Sequence, residues 1–106
     1  MIYEWREYQA APGKRSELLA RFEDHTFALF EKHGIRVVGF WVAQDDPDWL
    51  CYLCEFADEE ERARAWSRFQ SDPVWQDVKR RSEANGSLTS SMTSRVLTPL
   101  PWRESR

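Results

Sequence analysis

The sequence predicts an α+β domain of ferredoxin-like type, β-α-β-β-α-β, whose antiparallel sheet carries helices on one face only. Three observations lead there. Residues 2–9 mix β-branched, aromatic and charged side chains in near alternation, the two-residue period of strands; 35–44 is rich in Val and aromatics, 49–57 is a further β-like run, and 95–97 adds a short fourth. Residues 14–32 and the chain beyond Asp58 instead repeat apolar residues at steps of three and four, the period of helices. The elements follow one another in the split βαβ order, in which two helices share one sheet face.

Each element has a local cause. In the first strand Ile2, Glu4, Arg6 and Tyr8 lie on one face and Tyr3, Trp5, Glu7 and Gln9 on the other. Ala10, Ala11, Pro12 and Gly13 break it. Leu18, Leu19, Phe22, Thr26, Leu29 and Phe30 form the stripe of the first helix, and Gly34 is expected to close it as a left-handed cap. Asp45, Asp46, Pro47 and Asp48 make a turn, so the second and third strands read as a hairpin. Asp58, with Glu61 three residues on, is a helix N-cap whose acidic first turn suits the helix dipole. That helix is expected to present Ala63, Trp66 and Phe69. Asp72 and Pro73 restart helix with a capping carboxylate and a proline where no N–H is needed, and Val74, Trp75 and Val78 supply its inner side. Asn85 and Gly86 end it, residues 87–94 are linker or strand entrance, and residues 102–106 are either a swapped arm or a loose tail.

A chain of 106 residues is expected to be one domain over 1–106 with a modest core, burying about two thirds of its unfolded surface. Six Trp, six Phe and three Tyr are more ring area than so shallow a core absorbs, which implies an interface or a ligand pocket. Large apolar residues on both faces of the first two strands point to a second copy of the chain covering the open sheet face. A net charge of −3 with acids and bases interspersed offers no basic stripe, so nucleic acid is not an expected partner. No stretch reaches the roughly 18 apolar residues of a membrane span, and the charged amino terminus lacks a signal peptide's apolar core, so no membrane partner and a cytoplasmic location are expected. Cys51 and Cys54, three apart on a strand, project to opposite faces and are read as reduced, packed thiols.

The opening Met1-Ile2-Tyr3-Glu4-Trp5-Arg6, then Pro12-Gly13-Lys14, His33-Gly34-Ile35 and Gly39-Phe40-Trp41, resemble in order and spacing the NIPSNAP family of the dimeric α+β barrel superfamily. Glu61-Arg62-Ala63, Asp72-Pro73-Val74-Trp75 and Val96-Leu97-Thr98-Pro99 continue the likeness over nearly the whole chain. The resemblance implies a ferredoxin-like subunit whose sheet joins a second sheet into a barrel. The wider superfamily includes cofactor-independent monooxygenases, isomerases, haem-degrading enzymes and proteins of no known reaction, so fold alone does not choose among them. Where the family commonly has an aliphatic residue, this chain has Trp5, which would reshape any cavity there.

The candidate chemistry starts on the first strand. Glu4, Arg6 and Tyr8 repeat at about 6.6–6.8 Å on one face. Either Arg6 holds a carboxylate, enolate or phenolate oxygen while Glu4 orients it or moves a proton, or the two form a structural ion pair. His25 falls between Phe22 and Leu29 and is expected to point at the sheet, as a general acid–base or as a core histidine bonded to a neighbour. His33 suits the C-terminal dipole of its helix. Trp41, Tyr52 and Trp66 are the rings expected to line a pocket with Tyr8, and Gly39 is read as leaving room beside Trp41. The two histidines lie about 12 Å apart along one helix without a familiar ligand spacing, so no metal is expected, and haem through His25 alone is only weakly supported; no Gly-rich phosphate loop can be read, and no organic cofactor is expected. The reading is thus a homodimer that binds a small hydrophobic or aromatic ligand. It is either a cofactor-independent enzyme oxygenating, isomerising or cyclising an aromatic or polyketide-like carbonyl compound, or a non-catalytic binding or scaffold module.

Overall fold

A computed structural model describes residues 1–102. Strand β1 (Ile2–Ala10) leads to a helical run made of α1 (Arg15–Arg21), a π-helical turn (Phe22–Thr26) and α2 (Phe27–Lys32). Strands β2 (Arg36–Val42) and β3 (Trp49–Phe56) follow, then α3 (Glu59–Ser71), α4 (Pro73–Ser82) and β4 (Thr89–Leu97). The sheet has the order β2-β3-β1-β4 with every neighbouring pair antiparallel, which is the ferredoxin-like arrangement the pattern predicts.

The local signals act as anticipated. Gly34 ends α2 with φ of +77°, a backbone state in which a side chain would be strained. Asp58 Oδ1 accepts the Glu61 N–H at 2.8 Å, and Asp72 Oδ1 accepts that of Val74 at 2.8 Å, so both later helices start on a carboxylate cap. Asp72 also takes Lys32 Nζ at 2.9 Å and His33 Nε2 at 2.7 Å, joining the end of α2 to the α3–α4 junction. His33 is thus held at a helix C-terminus with a carboxylate as its partner.

Three expectations change. Strand β4 runs over Thr89–Leu97, not 95–97, because the Ser/Thr-rich stretch pairs with β1 throughout, apart from a one-residue shift between Thr89 and Ser91, and an edge strand accepts such small polar side chains. In α3 Ala65, Trp66 and Phe69 are buried and Ala63 is exposed, since the helix phase is set by its start at Glu59. In α4 Val78 is buried and Trp75 packs partly on the core, but Val74 is 53% exposed.

The core lies between the helices and one sheet face. There Leu50, Tyr52, Cys54 and Phe56 of β3 meet Leu18, Phe22, Phe30, Trp66 and Phe69. The smallest principal extent of the molecule is 19 Å, the depth of one sheet and one helical layer, so nothing among the described residues covers the second sheet face. That face carries Tyr3 and Trp5 of β1, Leu53 of β3 and Trp41 of β2, with Leu97 at the edge, and among them the charged Glu7, Glu55 and Arg95. Cys51 shares it and Cys54 lies on the buried face; both are free thiols.

Two single-residue irregularities set where side chains aim. The π-helical turn adds one residue to the helix, with the Phe27 N–H reaching the Phe22 carbonyl and the Thr26 hydroxyl donating to the Arg21 carbonyl at 3.2 Å. In β2 the register jumps from Val37 opposite Cys54 to Gly39 opposite Leu53, leaving Val38 as a bulge that reverses the alternation beyond it.

Candidate functional site

The helix-facing side of β1 and β3 builds one polar cluster inside an otherwise apolar layer. Glu4, 1% exposed, sits at its centre. Its Oε1 accepts Arg62 Nη1 at 3.0 Å and Trp66 Nε1 at 2.7 Å; its Oε2 accepts Arg6 Nη1 at 2.7 Å and Ser94 Oγ at 2.6 Å. Four donors from β1, β4 and α3 occupy both oxygens, the condition under which a buried carboxylate is tolerable. Burial by itself would raise the Glu4 pKa, but the bonds from Ser94, Arg6 and Trp66 outweigh it and hold Glu4 below its usual value. A carboxylate so engaged has no free oxygen with which to take a proton, so its task is to orient Arg6.

Arg6 is fixed on every side. Its Nε donates to Tyr52 Oη at 2.9 Å, its Nη2 to Tyr8 Oη at 3.0 Å, and its Cζ lies 4.3 Å from the centre of the Trp66 ring. Burial works against its charge, yet the two tyrosines and Glu4 more than offset this and raise its pKa. Tyr8 and Tyr52 hydroxyls are 2.7 Å apart. Burial keeps the Tyr52 pKa well above 10, so this phenol is neutral; it accepts from Arg6 Nε, and because it is fully buried with Tyr8 Oη its one hydroxyl neighbour, the pair is satisfied when Tyr52 donates to Tyr8. That leaves the Tyr8 proton, and one N–H on each of Arg6 Nη1 and Nη2, without an acceptor among the described residues.

These donors open into a cavity of about 490 Å³ between sheet and helices, with Arg6 and Tyr8 at its floor. Phe22, Phe30, Trp66, Phe69, Trp75 and Met92 supply most of its apolar wall, and Arg21, Lys79 and Glu83 its charged part. Such a mixture, in which ring surface and polar groups share the lining about equally, suits a small flat molecule bearing oxygen acceptors. A second hollow, of about 460 Å³ between Phe27, Phe30, Gly34, Ile35 and Val37, has almost no polar lining and brings no reactive groups together. Cys54, close to the cluster, is pushed up to about 12 by burial and then by Glu4, so it is an inert thiol. Among the described residues no three metal-ligating side chains cluster, and no helix is long and apolar enough to cross a membrane.

Of the residues singled out by sequence, Glu4, Arg6, Tyr8, Tyr52 and Trp66 come together here. Two lie elsewhere. His25 is exposed and borders an outer hollow with Glu17, Asp24 and Arg81: of the two residues that follow Phe22 at steps of three and four, the π-helical turn buries Thr26 alone. Trp41 is on the opposite sheet face, turned there by the bulge at Val38. Its ring fills the room over Gly39, where an added Cβ would meet the indole at 2.4 Å, and rests 5.8 Å from Trp5. Ser94, Arg62, Arg21 and Met92 were not anticipated. Arg62 lies four residues before Trp66 on one helix face, a signal within the sequence; Ser94 needed the full length of β4, and Arg21 had no signal.

The NIPSNAP family model matches residues 3–104. The chain belongs to the NIPSNAP family. Its fold is shared by a NIPSNAP family protein from Agrobacterium tumefaciens, 24% identical over 99% of this chain and 98% of that one, with a TM-score of 0.85. An uncharacterized NIPSNAP domain protein from Burkholderia xenovorans is 23% identical over 99% and 100% of the two chains, with a TM-score of 0.84. More distantly, an antibiotic biosynthesis monooxygenase shares the architecture at 17% identity over 95% of this chain and 100% of that one, with a TM-score of 0.66. No curated protein matches. At these identities the likenesses speak for the fold, and the site of this NIPSNAP chain has to be read from its own residues.

That site carries a pH dependence. Since the folded pKa of Glu4 is lowered, its contribution is complete above its unfolded pKa, near 4.5, and is lost as pH falls through the folded value. Urea midpoints of the wild type are expected to fall steeply below pH 4.5, and those of Glu4→Gln less steeply. Parallel curves for the two proteins would show that Glu4 is not the titrating group.

Proposed function

We propose that this NIPSNAP chain is a homodimeric small-molecule-binding protein whose cavity holds a flat, mainly apolar carbonyl or phenol compound by its oxygen. The observation that carries this is the pair of donors at the cavity floor, Arg6 and the Tyr8 hydroxyl, pre-aligned by Glu4 and Tyr52 and facing aromatic walls. Donors held rigid before a substrate oxygen stabilise the negative charge it gains. The same cluster could therefore favour an enolate or phenolate, the electrostatic half of a cofactor-independent isomerisation, cyclisation or oxygenation.

Binding without turnover is the second reading, and a specific feature supports it. His25 stands outside the cavity and Glu4 has no free lone pair, so neither group offered by the sequence as a proton carrier can serve there. Both readings share the dimer. The open sheet face, with Trp5 and Trp41 in contact across β3, is apolar enough that a second copy of the same face is its fitting cover.

A phenolic probe tests the donors directly. For 2-naphthol bound to the protein, the absorbance change on ionisation is expected at a pH at least about one unit below that of the free phenol, because Arg6 and Tyr8 favour its anion. Tyr8→Phe removes one donor while keeping the ring, and is expected to weaken binding about 5- to 30-fold, the worth of about 1–2 kcal/mol. An unshifted ionisation and unchanged affinity in the variant would rule the donor site out.

A further inference from the structure

We infer that the ligand of this cavity is an acid, its carboxylate received by Arg21 at the end opposite the Arg6–Tyr8 donors, so that the natural class is a flat aromatic carboxylic acid with a second oxygen. This rests on the binding role proposed for the cavity and specifies its ligand.

Arg21 ends α1, just before the π-helical turn, and stands between the cavity and the outer hollow beside His25, lining both, with its side chain 9% exposed. Its guanidinium is held from one side only: Nη1 donates to Ser82 Oγ at 3.1 Å and to Glu83 Oε2 at 2.9 Å. The other edge, Nε with Nη2, is the fork that takes a carboxylate with two parallel bonds, and it has no acceptor among the described residues. Nε is fully buried and unpaired, the one such buried side-chain atom found there. Buried donors are almost always satisfied, so an orphan beside a cavity asks for an acceptor supplied from outside the chain. The Trp75 ring lies 5.2 Å from Cζ of this guanidinium, a flat surface beside the unpaired edge.

The charge balance points the same way. The cavity wall contains Arg6, Arg21 and Lys79 against a single carboxylate, Glu83, which already lies on Arg21. Lys79 makes no ion pair among the described residues and adds positive potential at the same end of α4 as Glu83. Glu4 compensates Arg6 but is shared with Arg62, so the cavity retains positive charge. Between the cationic ends stand Trp66, Phe69 and Trp75, flat surfaces suited to a flat ring system.

The test compares 6-hydroxy-2-naphthoic acid with its methyl ester, which keeps the shape and the phenol but loses the charge, by titration calorimetry at pH 7. The acid is expected to bind at least tenfold more tightly. Arg21→Gln should bring the acid to the affinity of the ester and leave the ester within twofold. Glu83→Gln, which removes the anion competing for Arg21, should strengthen the acid several-fold, and it keeps the test decisive if Arg21→Gln does not fold. Equal binding of acid and ester, with Tyr8→Phe still weakening both, would overturn the carboxylate assignment while sparing the donor site. Failure of both compounds to bind would overturn the donor site and this inference with it.

Discussion

Glu4→Ala is expected to destabilise the fold by about 3–5 kcal/mol, because it leaves Arg6 buried without its counter-charge and strips Trp66 Nε1 and Ser94 of their acceptor. Set against a total stability of about 5–15 kcal/mol for a domain, that is a large share. The melting temperature should fall by roughly 15 °C or more. The cost arises from the partners left behind and not from the pair's net worth, so the variants should rank. Ser94→Ala, which removes one donor of four, should cost about 1–2 kcal/mol. Glu4→Gln should lie between them, since the amide keeps one acceptor oxygen but sets an NH₂ against donors. Thermal melts and urea titrations of the three give the order. A Glu4→Ala protein within 1 kcal/mol of wild type would mean that water reaches Arg6 and that the cluster is no rigid platform for a ligand.

Trp41→Glu is expected to convert the proposed dimer to single chains while leaving the fold of each intact. Trp41 is 49% exposed and contributes nothing to the core between sheet and helices, so its loss touches the subunit little. On the open face, forfeiting the burial of one such ring costs about 2 kcal/mol. Two-fold symmetry applies the change twice, giving about 4 kcal/mol per dimer, or roughly a thousandfold in the dissociation constant. Carboxylates brought into the interface add to this. Val74→Glu, at an equally exposed residue on the helical side, serves as the control and should leave association within twofold. Sedimentation velocity at micromolar concentration reads both. A wild-type protein that already sediments as one chain would remove the proposed pairing of open faces, though not the cavity, which is built within one subunit.

The comparison of residues with their places in the fold follows physical lines. Glu4, Arg6 and Tyr8 could be set on one face from the sequence because a strand's alternation is local and β1 keeps it from Ile2 to Gln9 without a bulge. Tyr52 and Trp66 joined them through the parity of β3 and the period of α3. The caps at Asp58 and Asp72 and the stop at Gly34 were legible for the same reason, since each is a bargain between a side chain and backbone within three residues. His25 and Trp41 were misplaced where the chain admits one extra residue. A π-helical turn and a β-bulge each trade one hydrogen-bond pattern for another at small local cost, and what decides between them is packing against distant partners such as Phe40 and Leu53. Nothing within a few residues of either site announces the shift.

By itself, then, the amino-acid order determined the β-α-β-β-α-β framework and the two-faced character of its strands, because both rest on periodicities and turns of short range. Only the tertiary structure decided that Glu4 is saturated by four donors, that Arg21 keeps one edge unpaired beside the cavity, and that His25 looks outward. Those facts depend on contacts between residues about 60 to 90 positions apart, Glu4 with Arg62 and Ser94 and Arg21 with Glu83, and a contact of that span has no signature until the chain has closed on itself.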